Sequence, residues 1–304
     1  MSRALAAAAG LAADRVVGEP PDRFHPLRAL GTVMSAVEDA QWADSRAAGA
    51  RHAAAGVALG LAAGAALRST AAATEVAVGG KALWSAARAV HTALDRGDLD
   101  RARTLLPALA GRDPSALDEK ELARAVVESV AENTVDAIVA PALWAAATGA
   151  PGALAYRAVN TLDAMVGHRS TRYARYGWAS ARLDDAAGWV PARVTAALVA
   201  AVRPHAAAPV LAAVRTQARR HPSPNAGVAE AAFAAALGVR LGGTNVYGER
   251  AEERPLLGDP AGPPPAPADI ARAVRLSSDV AWALGASLAA VALIGRRRSG
   301  TGRG

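Results

Sequence analysis

The chain has 304 residues, 52% of them hydrophobic but only 4% aromatic, and a formal net charge of +7. It has no cysteine, which excludes disulfides, thiolate catalysis and cysteine-bound zinc. Its basic residues are arginines apart from Lys81 and Lys120, and no nucleic-acid-binding signature accompanies them, so anionic lipid headgroups and phosphorylated substrates are the better partners.

The N-terminus, MSRALAAAAGLAAD, holds a short apolar run followed by Asp14, Arg15 and Gly18-Glu19-Pro20-Pro21. That flank lacks a cleavage region, so the start reads as an uncleaved, membrane-dipping segment. Uncharged runs lie at 4–13, 53–67, 137–156 and 280–295. A bilayer span takes about 20 apolar residues, range about 17–25. The run 137–156 reaches that length but contains Pro141, Gly149, Pro151 and Gly152. The run 53–67 reaches it if Arg68 snorkels to an interface. Between these two, 95–122 reads as short charged helices with turns at Arg96-Gly97 and Arg112-Asp113-Pro114. Residues 157–193 are dense in Asn, Asp and Arg. The stretch 194–214 is interrupted by Arg203, Pro204 and His205 and reads as two half-spans or a re-entrant hairpin. Residues 255–267 form a proline-rich linker, disordered or polyproline-like. The last run ends in Arg296-Arg297-Arg298, which the positive-inside rule places at the cytoplasm.

No run alternates like a strand, and the expected fold is all-α: a multi-helix integral membrane protein with polar helical and loop segments forming a site at the cytoplasmic face. The expected organisation is one helical, membrane-associated catalytic domain at 1–254, a Pro-rich linker at 255–276, and a C-terminal membrane helix with a basic tail at 277–304.

The stretch ESVAENTVDAIVAP puts Glu128, Glu132 and Asp136 four residues apart, stacked on one helix face. Like charges at that spacing cost about 0.2–0.5 kcal/mol per pair, and the stripe runs straight into apolar sequence, where an unpaired carboxylate is costlier still. One resolution is a solvated acidic face with Arg124 pairing to Glu128. The other is a hard divalent cation: Mg²⁺ takes one or two carboxylates plus substrate phosphates, all through oxygen. Asn133 adds an amide that could orient a carboxylate or a ligand. A second constellation places Asn160 and Asp163 at i,i+3, followed by Arg169, Arg172 and Arg175 and then Asp184-Asp185. Arginines there suit bidentate phosphate binding, or else they neutralise local acids or meet lipid headgroups. A third, His221-Pro-Ser223-Pro-Asn225-Ala-Gly227 with Glu230, makes a stiff turn before a helix whose N–H groups could hold an anion, or whose Ser223 or Asn225 simply caps it. A fourth is the Gly18-Glu19-Pro20 turn with His25-Pro26. Walker A, Rossmann, Ser/His/Asp and HExxH patterns are absent from the sequence.

DRVVGEPPDRFHP, the GRD at 111–113, ESVAENTVDAIVAP, YRAVNTLDAMVGH, RYGWASARLDDAAGWVPAR and HPSPNAGVAEAAFAAALGVRLGGTNVYG occur in one order from about residue 14 to 248. This ordered set resembles the CobD/CbiB family of cobalamin biosynthesis. Departures are a Gly-Glu-Pro where Gly-Asp-Pro is usual, Ala164 where serine is common, and Gly188-Trp189 where an Asn-aromatic pair is common. The first keeps its carboxylate. The resemblance implies an adenosylcobinamide-phosphate synthase in the cell (inner) membrane, multi-pass, with its site facing the cytoplasm. Such an enzyme joins aminopropanol or its O-phosphate to a propionate carboxyl of adenosylcobyric acid, consuming ATP with Mg²⁺. On that reading Glu128, Glu132, Asp136, Asn160 and Asp163 hold the metal or orient the groups that hold it. Arg169, Arg172 and Arg182, with Asn133, meet phosphate or substrate. Asp184 or Asp185 binds a second metal or the amine and accepts its proton, Glu132 is also catalytic, and His221, Ser223 and Asn225 line the substrate pocket. Expected partners are the corrinoid, the amine, membrane lipid and later membrane enzymes of the same pathway. Alternatives are an Mg²⁺-dependent membrane prenyl- or phospho-transferase and a non-catalytic membrane sensor.

Overall fold

Ser2, Ser45, Ser69, Asp98 and Asp118 each start a helix through a side-chain oxygen that accepts the backbone N–H three residues on. Asp118 and Glu121 complete a reciprocal capping box. The computed structural model describes residues 1–18, 26–168, 170–247 and 250–300, with backbone alone at 245–247, 250–251 and 296–300. In chain order the helices are α1 (Arg3–Val16), α2 (Pro26–Gln41), α3 (Arg46–Leu67), α4 (Thr70–Ala77), α5 (Gly80–Asp95), α6 (Leu99–Leu105) and α7 (Glu119–Thr134). A π-helical turn at Val135–Val139 leads into α8 (Ala140–Thr148), α9 (Ala150–Val166), α10 (Trp178–Val202), α11 (Ala207–Thr216) and α12 (Ala226–Leu237). A hairpin of β1 (Arg240–Tyr247) and β2 (Arg250–Gly258) precedes α13 (Pro267–Gly300). The chain divides into two compact units: unit 1 is 1–79, 136–189 and 284–304, and unit 2 is 80–135 and 190–283.

Unit 1 is built on the pairing of α3 with α9. Gly56, Gly60 and Gly64 recur every fourth residue and lie against Leu162, Leu154–Ala155 and Ala150–Pro151 in turn, so the two helices run antiparallel. Small residues at that spacing let two helix backbones approach closely. α9 packs further on α4 and α8, and α1 packs on α4 and α8.

Among the described residues, three helices are long and apolar enough to cross a membrane: Arg46–Leu67, Trp178–Val202 and Pro267–Gly295. The first and third contain the uncharged runs 53–67 and 280–295. The run 137–156, long enough by count, is not one helix. The π turn takes its start, and Gly149, at φ 81°, separates α8 from α9, whose second residue is Pro151. A non-glycine residue is strained at that φ, and a proline in the first turn suits a helix start. The second long helix, α10, corrects the reading of 157–193 as polar segment and of 194–214 as two half-spans or a re-entrant hairpin: it begins at Trp178, runs to Val202 and carries Asp184, Asp185 and Arg193 within it. The expected interruption at Arg203, Pro204 and His205 is present, as a 3-10 turn at Pro204–Ala206 between α10 and α11.

Unit 2 centres on α12, which is buried on nearly every side and packs on α7, α11 and the hairpin. The hairpin overturns the expectation of no strand. Its alternation is masked by Gly242-Gly243 and Pro255, where the register slips by a bulge between Leu241 and Gly243. Both glycines have positive φ, 87° and 97°, which a bulge accommodates at glycine. Buried Leu241 and Leu257 face each other across it, and Gln217 bonds both the N–H and the C=O of Gly258. The proline-rich stretch is therefore strand to Gly258 and helix from Pro267.

Candidate active site

In unit 2 the first carboxylate of the stripe is buried and compensated. Arg112 donates to Glu128 Oε2 at 2.6 Å, while Arg124, one turn earlier on α7, approaches Oε1 at 3.4 Å. The Gly242 N–H donates to Oε1 at 2.9 Å, and Arg124 also donates to the carbonyls of Gly242 and Thr244. Glu128 thus ties the GRD loop, α7 and the hairpin bulge together. Both its oxygens are engaged, which does not fit a primary metal ligand.

Around it lies a second layer. Glu230 on α12 is buried, with His221 Nε2 3.7 Å away, and Arg254 of β2 lies 3.1 Å from the same ring nitrogen. Burial, then the charges of Glu128 and Glu132, push the Glu230 carboxyl well above the ordinary glutamate range. Burial pushes His221 below its usual 6.5 despite its bond to Ser223, and the Arg254 charge acts in the same direction. The turn itself is a cap: Ser223 Oγ accepts the N–H groups of Asn225 and Ala226, and Asn225 Oδ1 accepts from Arg193. Asn133 donates back to Ser129 on its own helix, and Glu132 is exposed on α7.

Unit 1 holds a different cluster. Asp136 falls in the π turn, where i→i+5 bonding interrupts the 3.6-residue period that the stripe assumes. Its carboxylate accepts from Tyr156 Oη and from Asn160 Nδ2, both at 3.4 Å. The same Asn160 amide donates to Asp184 Oδ1 at 3.3 Å, so one NH₂ bridges two carboxylates from elements far apart in sequence. Arg157 donates to Asn160 Oδ1 at 3.1 Å, fixing which way the amide points. The Arg157 Nε is buried without a hydrogen-bond partner among the described residues. The Asp163 carboxylate lies against Gly167, in the space a side chain there would need. Asp185 is half-buried beside Asp184 and Arg182 is exposed. Arg172 donates through Nε and Nη2 to Glu38, 134 residues away, which also accepts from Tyr173 Oη. Arg169, Glu19 and His25 lie outside the described residues, as do the side chains of Arg296, Arg297 and Arg298.

The sequence pattern singles out Glu128, Asp136, Asn160, Asp184, Arg172 and His221 but not their partners Arg112, Tyr156, Arg157, Glu38 and Arg254. Arg112 had a signal in the GRD turn. Tyr156 and Arg157 open the YRAVNTLDAMVGH motif, with Arg157 at i,i+3 from Asn160, whereas Glu38 and Arg254 come from segments that carry no motif. Among the described residues no three His, Asp or Glu side chains form a group able to hold a metal ion. The Asp136–Asp184 pair nonetheless fits Mg²⁺ in its usual mode, in which two carboxylates suffice beside substrate phosphates.

The molecule is therefore a helical protein with three potential membrane spans among the described residues and, in each compact unit, a cluster of carboxylate and arginine side chains, buried in unit 2 and half-buried in unit 1. It belongs to the CobD/CbiB family: the family described as CobD/Cbib protein matches residues 7–277. It is 48% identical over 98% of its length to a cobalamin biosynthesis protein CobD of Mycobacterium tuberculosis, covering 97% of that protein. It is 44% identical to the CobD of Chromobacterium violaceum, over 97% of this chain and 99% of the relative. No solved structure matches significantly.

Proposed function

We propose that this chain is an ATP-dependent, amide-forming enzyme of cobalamin biosynthesis, embedded in the membrane, that joins aminopropanol or its O-phosphate to a propionate carboxyl of adenosylcobyric acid. Family membership and the names of the relatives support the pathway. The observation that carries the reaction type is the Asn160 amide held between Asp136 and Asp184, with the unpartnered Arg157 Nε beside it.

Making an amide from a carboxylate and an amine requires the loss of one carboxylate oxygen. The propionate oxygen attacks the terminal phosphorus of ATP and ADP leaves; the amine nitrogen then attacks the carbonyl carbon, and inorganic phosphate departs with that oxygen. Such a route needs cations on the phosphoryl oxygens and a base for the amine proton. Asp136 and Asp184 would hold Mg²⁺, which supplies charge neutralisation when bound, and Asn160 sets their separation. Arg157 directs a guanidinium N–H at a phosphate oxygen. Asp185, next to the metal-binding Asp184 and half-buried, accepts the amine proton. In unit 2, Glu128 holds Arg112, Arg124 and the bulge in place.

Full-length protein in detergent or nanodiscs, given adenosylcobyric acid, aminopropanol phosphate, ATP and Mg²⁺, should release ADP and form the amide. Asp136→Asn and Asp184→Asn should each lower turnover about 10²–10⁴-fold without changing the melting temperature by more than a few degrees. No product from the wild type would sink the activity, and wild-type turnover in both variants would sink the residue assignment.

A further inference from the structure

Arginine and tryptophan side chains gather in unit 1 where two long apolar helices begin. α3 starts at Arg46 and α10 at Trp178, and the Arg46 guanidinium lies 5.3 Å from the Trp178 ring centroid. The N-terminal ends of these two potential spans are thus side by side. Next to them the Arg172 guanidinium lies over the rings of Trp42, at 4.8 Å, and Tyr173, at 5.6 Å. Arg175 is 3.8 Å from Asp44 and 62% exposed, and Trp42 and Trp178 are 37% and 43% exposed. The reaction proposed above uses none of these side chains.

Exposed tryptophan and arginine at the end of an apolar helix match the composition of a membrane–water interface, where an amphipathic ring sits at headgroup level. What lies further along the helices agrees. α3 exposes Leu59, Leu61 and Leu67, and α10 exposes Leu183, Trp189 and Val190, an apolar outer surface of the kind acyl chains cover. The charge is also directional. Exposed Arg46, Arg51, Arg172 and Arg175 outnumber the two carboxylates that pair with them, Glu38 and Asp44. Arg172 commits Nε and Nη2 to Glu38, which leaves the exposed Arg46 and Arg175 as the arginines best placed to meet a phosphate.

We propose that Trp42, Arg46, Arg172, Arg175 and Trp178 form a headgroup-level band that binds the phosphate of anionic phospholipids and holds the starts of α3 and α10 at one membrane surface. The proposal rests on α3 and α10 crossing the bilayer, and its tests use neither substrate nor turnover, so they stand apart from the amide-forming reaction.

Because the chain has no cysteine, single cysteines report access without background. In sealed vesicles an impermeant maleimide should label Ala43→Cys and Thr171→Cys from the same side and Ala66→Cys, in the last turn of α3, only from the other. Labelling of all three from one side, or of the first two from opposite sides, overturns the band. For the ligand, detergent-solubilised full-length protein should bind dioctanoyl phosphatidylglycerol at least about tenfold more tightly than dioctanoyl phosphatidylcholine, read by native mass spectrometry. Arg46→Gln/Arg175→Gln should remove most of that preference, about fivefold per arginine. An undiminished preference in the double variant overturns the proposal. So does full competition by millimolar inorganic phosphate, which would assign the arginines to a soluble ligand.

Discussion

Glu128 resolves the electrostatic problem posed by its own sequence. A carboxylate stripe entering apolar sequence needs a counter-charge, and for Glu128 that charge is two arginines and a backbone N–H. Removing one partner from such a buried group costs about 3–5 kcal/mol, because the remaining charge keeps its desolvation penalty. Glu230 sits close by without an equally short partner, and its raised carboxyl makes a pH prediction. The unfolded chain releases this proton near 4.5, whereas the folded protein retains it to higher pH. Its contribution to stability is therefore full below about 4.5 and is lost as pH rises through the folded value. Glu230→Gln should flatten that loss: the wild-type melting temperature should fall relative to the variant between pH 5 and pH 9. Parallel curves for the two proteins would show that Glu230 ionises normally. His221 works in the opposite sense, its depressed basicity withdrawing stability only as pH falls below about 6.5.

At the scale of elements, the glycines of α3 decide how closely α9 can approach. A methyl group at Gly60 would sit 2.7 Å from the Leu154 carbonyl oxygen and 2.8 Å from the Ala155 Cα. Both are backbone atoms of a packed helix and cannot swing aside. Gly60→Ala should destabilise the protein by about 1–3 kcal/mol in a reversible unfolding assay, whereas Leu61→Ala on the exposed face should stay within about 0.5 kcal/mol. An unaffected Gly60 variant would mean that the two helices are free to separate. Other elements were hidden from the sequence for identifiable reasons. α10 carries Asp184, Asp185 and Arg193, which disguise an apolar helix in a window scan. The hairpin owes its pairing to a bulge at Gly242-Gly243, the residues that break a strand pattern.

For the whole molecule, the apolar surface that remains exposed is the informative quantity. Leu59 on α3, Val190 on α10 and Val291 and Ile294 on α13 are 41%, 56%, 63% and 56% exposed. Residues of this kind on helices of spanning length belong in lipid. The protein should remain in the membrane fraction after alkaline carbonate washing and enter solution only with detergent. Release by carbonate alone would mean that these helices bury their apolar faces in some other way.

Composition and ordered motifs were sufficient to identify a helical, cysteine-free protein of the CobD/CbiB family, because helix period, hydrophobic run length and motif order are local or linear properties of the chain. They also marked Glu128, Asp136, Asn160 and Asp184 as chemically significant. Only the tertiary structure decided which of these share a cluster. Glu128 meets Arg112 and the bulge in unit 2, whereas Asp136 meets Asn160 and Asp184 in unit 1. Equal spacing in ESVAENTVDAIVAP concealed that division, since a helical repeat specifies a face but not the elements that pack against it. The π turn at Val135–Val139 then changes the period itself.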